Sequence, residues 1–221
     1  MYSIEGNIFA NHNPQQLQGI RKSFIHKQYK RGEPIFHEED LTDGIYLILD
    51  GYVKVYQSTE SGWEKTLAIL SPGDIIGEMA TFGKHNRSAS VKALEQTEVY
   101  YIPQRQFEEL LSKDPSLGLT ITEILTGRLR LANRQIALLV SGNSYEKVAG
   151  QLVYLAEKCG KPHNGGIMIQ PRLTHNDLAS LAGVARETVT KILRELEKEA
   201  IITFENRHIV IKDLKSLQCE V

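Results

Sequence analysis

Seven glycines, at positions 32, 44, 51, 62, 73, 77 and 83, punctuate the stretch from Tyr29 to Tyr101 and leave room only for short strands. Between two of them Ile45, Leu47 and Leu49 alternate with Tyr46 and Ile48. Beyond Asp50-Gly51, Val53 and Val55 alternate with Lys54 and Tyr56. A period of two on either side of an Asp-Gly turn reads as a β-hairpin. Glycines recurring at this spacing suit a small antiparallel barrel or roll. The strand texture stops at Pro103, where Pro103 to Leu111 reads as a short helix and Pro115 can open another.

Two further textures follow. From Ser116 to about Gly142 the pattern is helical, and Leu125, Leu129, Ala132, Ile136 and Leu139 step by four, three, four and three. That spacing is an a/d seam. Two heptads are too short to associate alone, so the seam reads as a dimer helix supported by flanking domains. The competing reading is a helix packed on its own domain. Ser141-Gly142-Asn143 closes this helix and marks a hinge. Next come an amphipathic helix (Val148, Leu152, Leu155, Ala156) and a loop from Gly160 to Gly166.

Thr174 followed by Asp177 then opens a helix in the manner of a capping box. Leu178, Ala179 and Leu181 are its apolar face, and Gly183 falls where a tight turn needs a permissive backbone. A second helix, about Arg186 to Glu199, turns Val189, Ile192, Leu193 and Leu196 inward. Ile201 to Thr203 and His208 to Ile211 form a β-hairpin wing. The expected fold is α+β: an antiparallel β-roll sensor over 1–114, a dimerisation helix and hinge over 115–143, and a winged helix–turn–helix over 144–221.

Composition narrows the function classes. The 221 residues carry 26 Lys+Arg against 27 Asp+Glu, so bulk charge supplies no argument for nucleic-acid binding. Apolar runs such as Ile136 to Val140 are far short of the about 20 residues of a membrane span. The N-terminal residues MYSIEGNIFANHNPQQ lack the basic and apolar regions of a secretory signal, so a cytoplasmic location is expected. Two cysteines, Cys159 and Cys219, cannot build a disulfide framework, a four-Cys zinc site or an iron–sulfur cluster, and no structural metal is expected.

Once the apolar residues of the second helix are turned inward, Arg186, Glu187, Thr190, Lys191 and Arg194 must face out. The helix start is where a recognition helix meets base edges in the major groove. Arginine grips guanine O6/N7 bidentately and glutamate accepts from cytosine N4, so Arg186 and Glu187 form a reading pair. From Glu146 onward there are 11 Lys+Arg and 10 Asp+Glu, a net of +1. Affinity must therefore come from a concentrated basic face and two half-sites. The bland alternative is an ordinary solvated helix face.

The segment from Gly73 to Ser90 carries the chemistry of the N-terminal half. A glycine before a short helix offers backbone N–H groups to an anion, Arg87 offers a bidentate partner for phosphate, and Ser88 adds a hydroxyl donor. Glu78 cannot bind phosphate, but it can accept from a ribose hydroxyl. Together they describe a pocket for a ribose with a compact, singly charged phosphate. The alternative is a structural Glu78–Arg87 ion pair. On the first reading, Arg87→Ala is expected to abolish nucleotide binding and leave the fold intact.

Gly77-Glu78-Met79-Ala80 followed by Arg87-Ser88-Ala89 resembles the phosphate-binding cassette of cyclic-nucleotide-binding domains. Leu173 to Ile202, with Arg186-Glu187-Thr188-Val189, resembles the helix–turn–helix of the CRP/FNR group of bacterial transcription regulators. The resemblance spans nearly the whole chain in the same order. It implies a homodimer that binds a palindromic operator in double-stranded DNA, with half-sites like TGTGA, and RNA polymerase as a partner. It implies cAMP as effector ahead of cGMP, held by Gly77, Glu78, Met79, Ala80, Arg87, Ser88 and Ala89. Where the cAMP-binding members place adjacent Thr and Ser to reach adenine, this chain has Ala132 and Asn133; Asn133 can still donate and accept along a purine edge. Thr174, Arg186, Glu187, Thr188, Thr190, Lys191 and Arg194 are the implied DNA contacts, with Lys191 in place of an arginine.

Competing functions remain open at this level. The same DNA-binding role can serve another sensor, such as haem held by a histidine at 12, 26, 37 or 85, another metabolite, or no effector at all. A β-barrel metalloenzyme fused to a DNA-binding module would carry His-x-His, which is absent. No catalytic triad-like arrangement stands out, and an enzyme is not expected.

Overall fold

The computed structural model describes residues 24–59, 62–83 and 85–219. The N-terminal stretch read for signal character, and with it His12, lies outside them. So do the side chains of Leu139 and Cys219. The described part forms twelve strands and seven helices in two compact units, the described residues of 24–55 with 70–130 and those of 56–69 with 131–219.

The strands of the first half are β1 (Ile25–Tyr29), β2 (Pro34–Phe36), β3 (Gly44–Asp50), β4 (Val53–Ser58), β5 (Glu64–Leu70), β6 (Ile75–Ile76), β7 (Ser90–Ala93) and β8 (Thr97–Pro103). They make two four-stranded sheets of order β1-β8-β3-β6 and β2-β7-β4-β5. β3 pairs antiparallel with β8, Tyr46 opposite Tyr101 and Ile48 opposite Val99. The simple in–out alternation expected for β3 is not what forms: Gly44 through Ile48 are all buried. One face of the strand packs under helices, so both sets of side chains leave water. Gly51 holds the turn after β3 at φ 81, and a Cβ there would meet the Gln96 carbonyl oxygen at 2.4 Å.

Three helices complete this region: α1 (Glu78–Gly83), α2 (Gln104–Lys113) and α3 (Pro115–Ser141). Phe107 and Leu110 of α2 and Leu117 and Ile121 of α3 close a core with Ile45, Leu47, Ile75 and Ile102. Leu125 is also packed against that core. The seam therefore divides. Its first position faces inward, whereas Leu129 and Ile136 are 63% and 58% exposed and Ala132 is exposed too.

α4 (Ser144–Cys159) starts at Asn143, whose side chain accepts from the Tyr145 and Glu146 amides at 2.8 and 3.0 Å. Glu146 in turn accepts from the Asn143 amide at 3.1 Å. The expected hinge is thus also a helix start. The loop expected from Gly160 to Gly166 is instead a hairpin of β9 (Gly160–His163) and β10 (Gly166–Ile169). Asn164 and Gly165 have φ 45 and 75, the two positive values a type I′ turn requires.

The helix–turn–helix is α5 (His175–Ala182) and α6 (Arg186–Lys198), with Gly183 left-handed at φ 68 between them. β11 (Ile202–Glu205), β12 (His208–Ile211) and a last helix α7 (Leu214–Cys219) follow. The wing turn is tighter than expected, only Asn206 and Arg207, and its sheet runs β11-β12-β10-β9. In the second unit the strand segment 64–69 lies against α5, where Ser180 Oγ accepts from the Thr66 amide at 2.7 Å. Among the described residues no helix is long and apolar enough to cross a membrane, and no three His, Cys, Asp or Glu form a metal-binding group.

Candidate effector cavity and nucleic-acid interface

β6 ends at Ile76, and Gly77, with a φ of 86, turns the chain into α1. A Cβ at Gly77 would meet Arg87 Nη1 at 2.2 Å, so the glycine makes room for the guanidinium. Arg87, 1% exposed, donates from Nη1 to the Gly77 carbonyl at 3.0 Å. From Nη2 it donates to Asp43 Oδ1 at 2.6 Å and to the Gly44 carbonyl at 2.8 Å. The Phe36 ring lies 4.3 Å from the guanidinium carbon, a cation–π contact that needs no water. Arg87 Nε is buried and has no hydrogen-bond partner among the described residues.

Glu78 does not pair with Arg87. Its carboxylate, 2% exposed, accepts from Arg128 Nη1 at 2.5 Å, while Arg128 Nη2 donates to the Ile75 carbonyl. The two buried charges thus take separate partners, 44 and 50 residues away in sequence. Neither Arg128 nor Asp43 stood out in the sequence. Arg128 had one signal, a cation one helical turn before Ala132 on an apolar seam. Asp43 had none.

Gly77, Glu78, Met79, Ala80, Arg87, Ser88 and Ala89 all line one cavity, with Phe36, Val55, Leu70, Ile76, Val91 and Arg128. Ser88 Oγ lies 3.9 Å from Met79 Sδ. Asn133, exposed on α3, is not in the lining. The cavity holds about 60 Å³, well under the about 300–1,000 Å³ of a ligand pocket, so a nucleotide has to open it. Its chemistry nonetheless fits one. An orphaned guanidinium N–H suits a phosphate oxygen, a carboxylate suits a ribose hydroxyl, and apolar walls suit a base.

Burial, then Asp43, raises the Tyr46 and Tyr101 hydroxyls, the latter to about 12. Tyr101 therefore keeps its proton and donates to the Asp43 carbonyl at 2.9 Å.

On α6, Val189, Ile192, Leu193 and Leu196 are buried, as the spacing predicts. Arg186, Glu187, Thr190, Lys191 and Arg194 line a single open surface together with Glu195 and Lys198. Thr188 is half-buried and not part of it. The Thr190 hydroxyl donates to the Arg186 carbonyl at 3.0 Å and lies 2.8 Å from His175 Nδ1, which must then be the donor. Lys191 stands 3.9 Å from Glu195, an exposed pair of little strength. Thr174 is the α5 N-cap: its hydroxyl accepts from the Asp177 amide and donates to the Asp177 carboxylate at 2.6 Å. Burial, Arg186 and Arg194, in that order, lower the pKa of His175.

Known proteins bear on both sites. Residues 26–114 match the cyclic nucleotide-binding domain family, and residues 146–220 match the Crp-like helix-turn-helix domain family. The cyclic AMP receptor protein of Thermus thermophilus is 31% identical over 88% of this chain and 87% of its own length. A CRP-like cAMP-activated global transcriptional regulator of Mycobacterium tuberculosis is 27% identical over 95% of this chain and 94% of its own. The structure of FixK2 from Bradyrhizobium japonicum superposes with a TM-score of 0.79 over 89% of this chain and 96% of that one; at 22% identity the likeness concerns the fold alone. With a cyclic-nucleotide-binding domain ahead of a Crp-like helix–turn–helix, and relatives that match it nearly end to end, the chain belongs to the CRP/FNR family and is a transcription regulator rather than an enzyme.

Proposed function

We propose that this regulator binds cAMP in the cavity behind Gly77 and Arg87 and, as a homodimer, reads a palindromic operator with the exposed face of α6. The observation that carries the reading is the convergence of seven cassette residues on one cavity lined by an unsatisfied guanidinium N–H. In this assignment Arg87 and Ser88 take the cyclic phosphate and Glu78 takes the ribose hydroxyl in exchange for part of its bond to Arg128. The Thermus thermophilus relative is named a cyclic AMP receptor protein and the Mycobacterium tuberculosis one cAMP-activated, which favours that effector over cGMP or a non-nucleotide ligand.

The exposed Leu129, Ala132 and Ile136 supply the apolar face on which a second copy packs. Residues 1–114 then serve as sensor, 115–143 as dimer helix and hinge, and 144–221 as the DNA-reading part. Two recognition helices related by a two-fold axis fit half-sites one turn of DNA apart, about 34–36 Å. The regulator acts in the cytoplasm, with RNA polymerase as its partner at the promoter.

Calorimetric titration with cAMP and cGMP, followed by selection from a random DNA pool with and without the nucleotide, tests the reading. Tighter cAMP than cGMP binding and a two-fold symmetric motif enriched with cAMP are expected. Absence of nucleotide binding overturns the effector assignment, and an asymmetric motif overturns the dimer.

A further inference from the structure

We propose that Thr190 selects thymine in each half-site through its methyl group, and that His175 is the positioning residue that turns the Thr190 hydroxyl away from the DNA. The inference rests on the exposed face of α6 being the DNA-reading face and adds to it the base chemistry of one residue.

The surface formed by α6 is charged throughout except at one point. Thr190 is its single uncharged residue, one helical turn beyond Arg186 and one before Arg194. A threonine on a recognition helix can offer a base edge either a hydroxyl or a methyl group. Here the hydroxyl is spent. Its proton goes to the Arg186 carbonyl at 3.0 Å, four residues back in the same helix. Threonine in a helix divides between two rotamers, so a second bond decides which one is held. His175, the first residue of α5, supplies that bond, with Nδ1 2.8 Å from the same oxygen.

The direction of this bond follows from the first one. Thr190 has one proton and gives it to a carbonyl, so His175 Nδ1–H donates and the hydroxyl oxygen accepts. The hydroxyl then has no proton left for guanine O6 or N7, adenine N7 or thymine O4, the acceptors of the major groove. The His175 ring is half-buried and bridges the two helices. Burial first, then the Arg186 and Arg194 cations, hold its pKa below the ordinary value, so the ring brings no charge of its own against those arginines at pH 7. What Thr190 can offer the surface is its methyl group, and apolar contact with the C5 methyl of thymine is the readout a methyl group makes.

The test starts from the motif that the wild-type regulator enriches from random DNA, with and without cAMP. Each thymine of that motif is replaced in turn by deoxyuridine, which lacks only the C5 methyl. At one position per half-site, wild type should bind the uracil operator about fourfold more weakly for each half-site changed, the worth of one buried methyl group. Thr190→Ser keeps the hydroxyl and removes the methyl, and should bind thymine and uracil operators alike. His175→Ala should shrink the thymine-to-uracil ratio at that same position, and His175→Asn, which can donate from the same place, should restore it. In the Thr190→Ser background, His175→Ala should leave the ratio unchanged. A loss of stability weakens both operators equally and does not move this ratio. No thymine position sensitive to the methyl, or a sensitivity that persists in Thr190→Ser, would overturn the proposal, while a motif that depends on Arg186 keeps α6 as the reading face. A ratio unmoved by His175→Ala would overturn the role of His175. If wild type enriches no motif, or one that ignores Arg186→Ala, the reading of α6 falls and this inference falls with it.

Discussion

Arg87 and Arg186 are the same residue type placed in opposite surroundings. Arg87 is buried, stacked on Phe36 and bonded to two carbonyls and a carboxylate. Arg186 stands exposed at the start of α6 beside Glu187, Lys191 and Arg194. Around the cavity each charge has a specific partner, because an unpaired charge out of water is costly. On α6 the charges lie in water, where pairing is worth little and where they attract a polyanion over distance. The first arrangement suits a switch, since a ligand has bonds to exchange. The second suits a reader, since base edges meet groups already turned outward.

The largest expected effect comes from breaking a pair in the cavity. Arg128→Ala leaves the buried Glu78 carboxylate uncompensated and should cost about 3–5 kcal/mol of folding free energy. Adding Glu78→Gln should recover most of the loss, because an amide needs no counter-charge. Urea unfolding of the two variants checks this, and an unperturbed Arg128→Ala would remove the contrast between the sites. By the same reasoning Arg87→Ala, expected to abolish nucleotide binding, should also cost about 2–4 kcal/mol of folding free energy through its lost hydrogen bonds and the void left behind.

A smaller effect is expected on the reading face. Arg186→Ala should leave unfolding within about 0.5 kcal/mol of wild type. It should cost about 1–3 kcal/mol of DNA binding per half-site and relax one base position. Arg194→Ala should weaken all sequences alike and flatten the salt dependence. Selection from random DNA at two salt concentrations separates the two, and a motif unchanged by Arg186→Ala would reassign the reading face.

Thr174 sharpens the comparison, since it is a candidate DNA contact and also the cap of α5. Thr174→Ala should cost about 1 kcal/mol of stability. Because its hydroxyl is already bonded to Asp177, DNA affinity of the folded variant should be unchanged. A DNA defect larger than the stability loss would mark it as a contact.

The smallest effect is a titration. Burial, Arg186 and Arg194 hold His175 below the ordinary histidine value of 6.5, so the unfolded chain takes up this proton more readily than the folded one. The contribution is complete above 6.5 and is lost as pH falls through the lower folded value. In Arg186→Ala the His175 pKa should rise toward 6.5, measured by NMR titration. No movement would show that Arg186 is too well solvated to be felt.

Much of the architecture was legible because it depends on neighbours in sequence. Val189, Ile192, Leu193 and Leu196 repeat at the helical period and are the buried face of α6. Thr174 with Asp177, and Gly183 after Ala182, mark helix ends through bonds that span three or four residues. The missed hairpin at 160–169 was legible too, since Asn164-Gly165 is a strong type I′ signal that a Pro- and Gly-containing stretch obscured. The same holds for the cassette: Gly77, Glu78, Arg87 and Ser88 lie within twelve residues and line one cavity.

What the sequence could not determine is who holds whom. By itself it established the helix–turn–helix and the outward face of α6, because these follow from periodicity and short-range hydrogen bonding, while the cassette was legible through its resemblance to that of cyclic-nucleotide-binding domains. Tertiary structure alone decided that Arg87 is matched to Asp43 and Glu78 to Arg128, and that Leu125 turns inward while Leu129 and Ile136 turn out. A charge leaving water requires a partner wherever the fold supplies one, and strand pairing between β3 and β8 and the docking of α3 bring in partners from dozens of residues away.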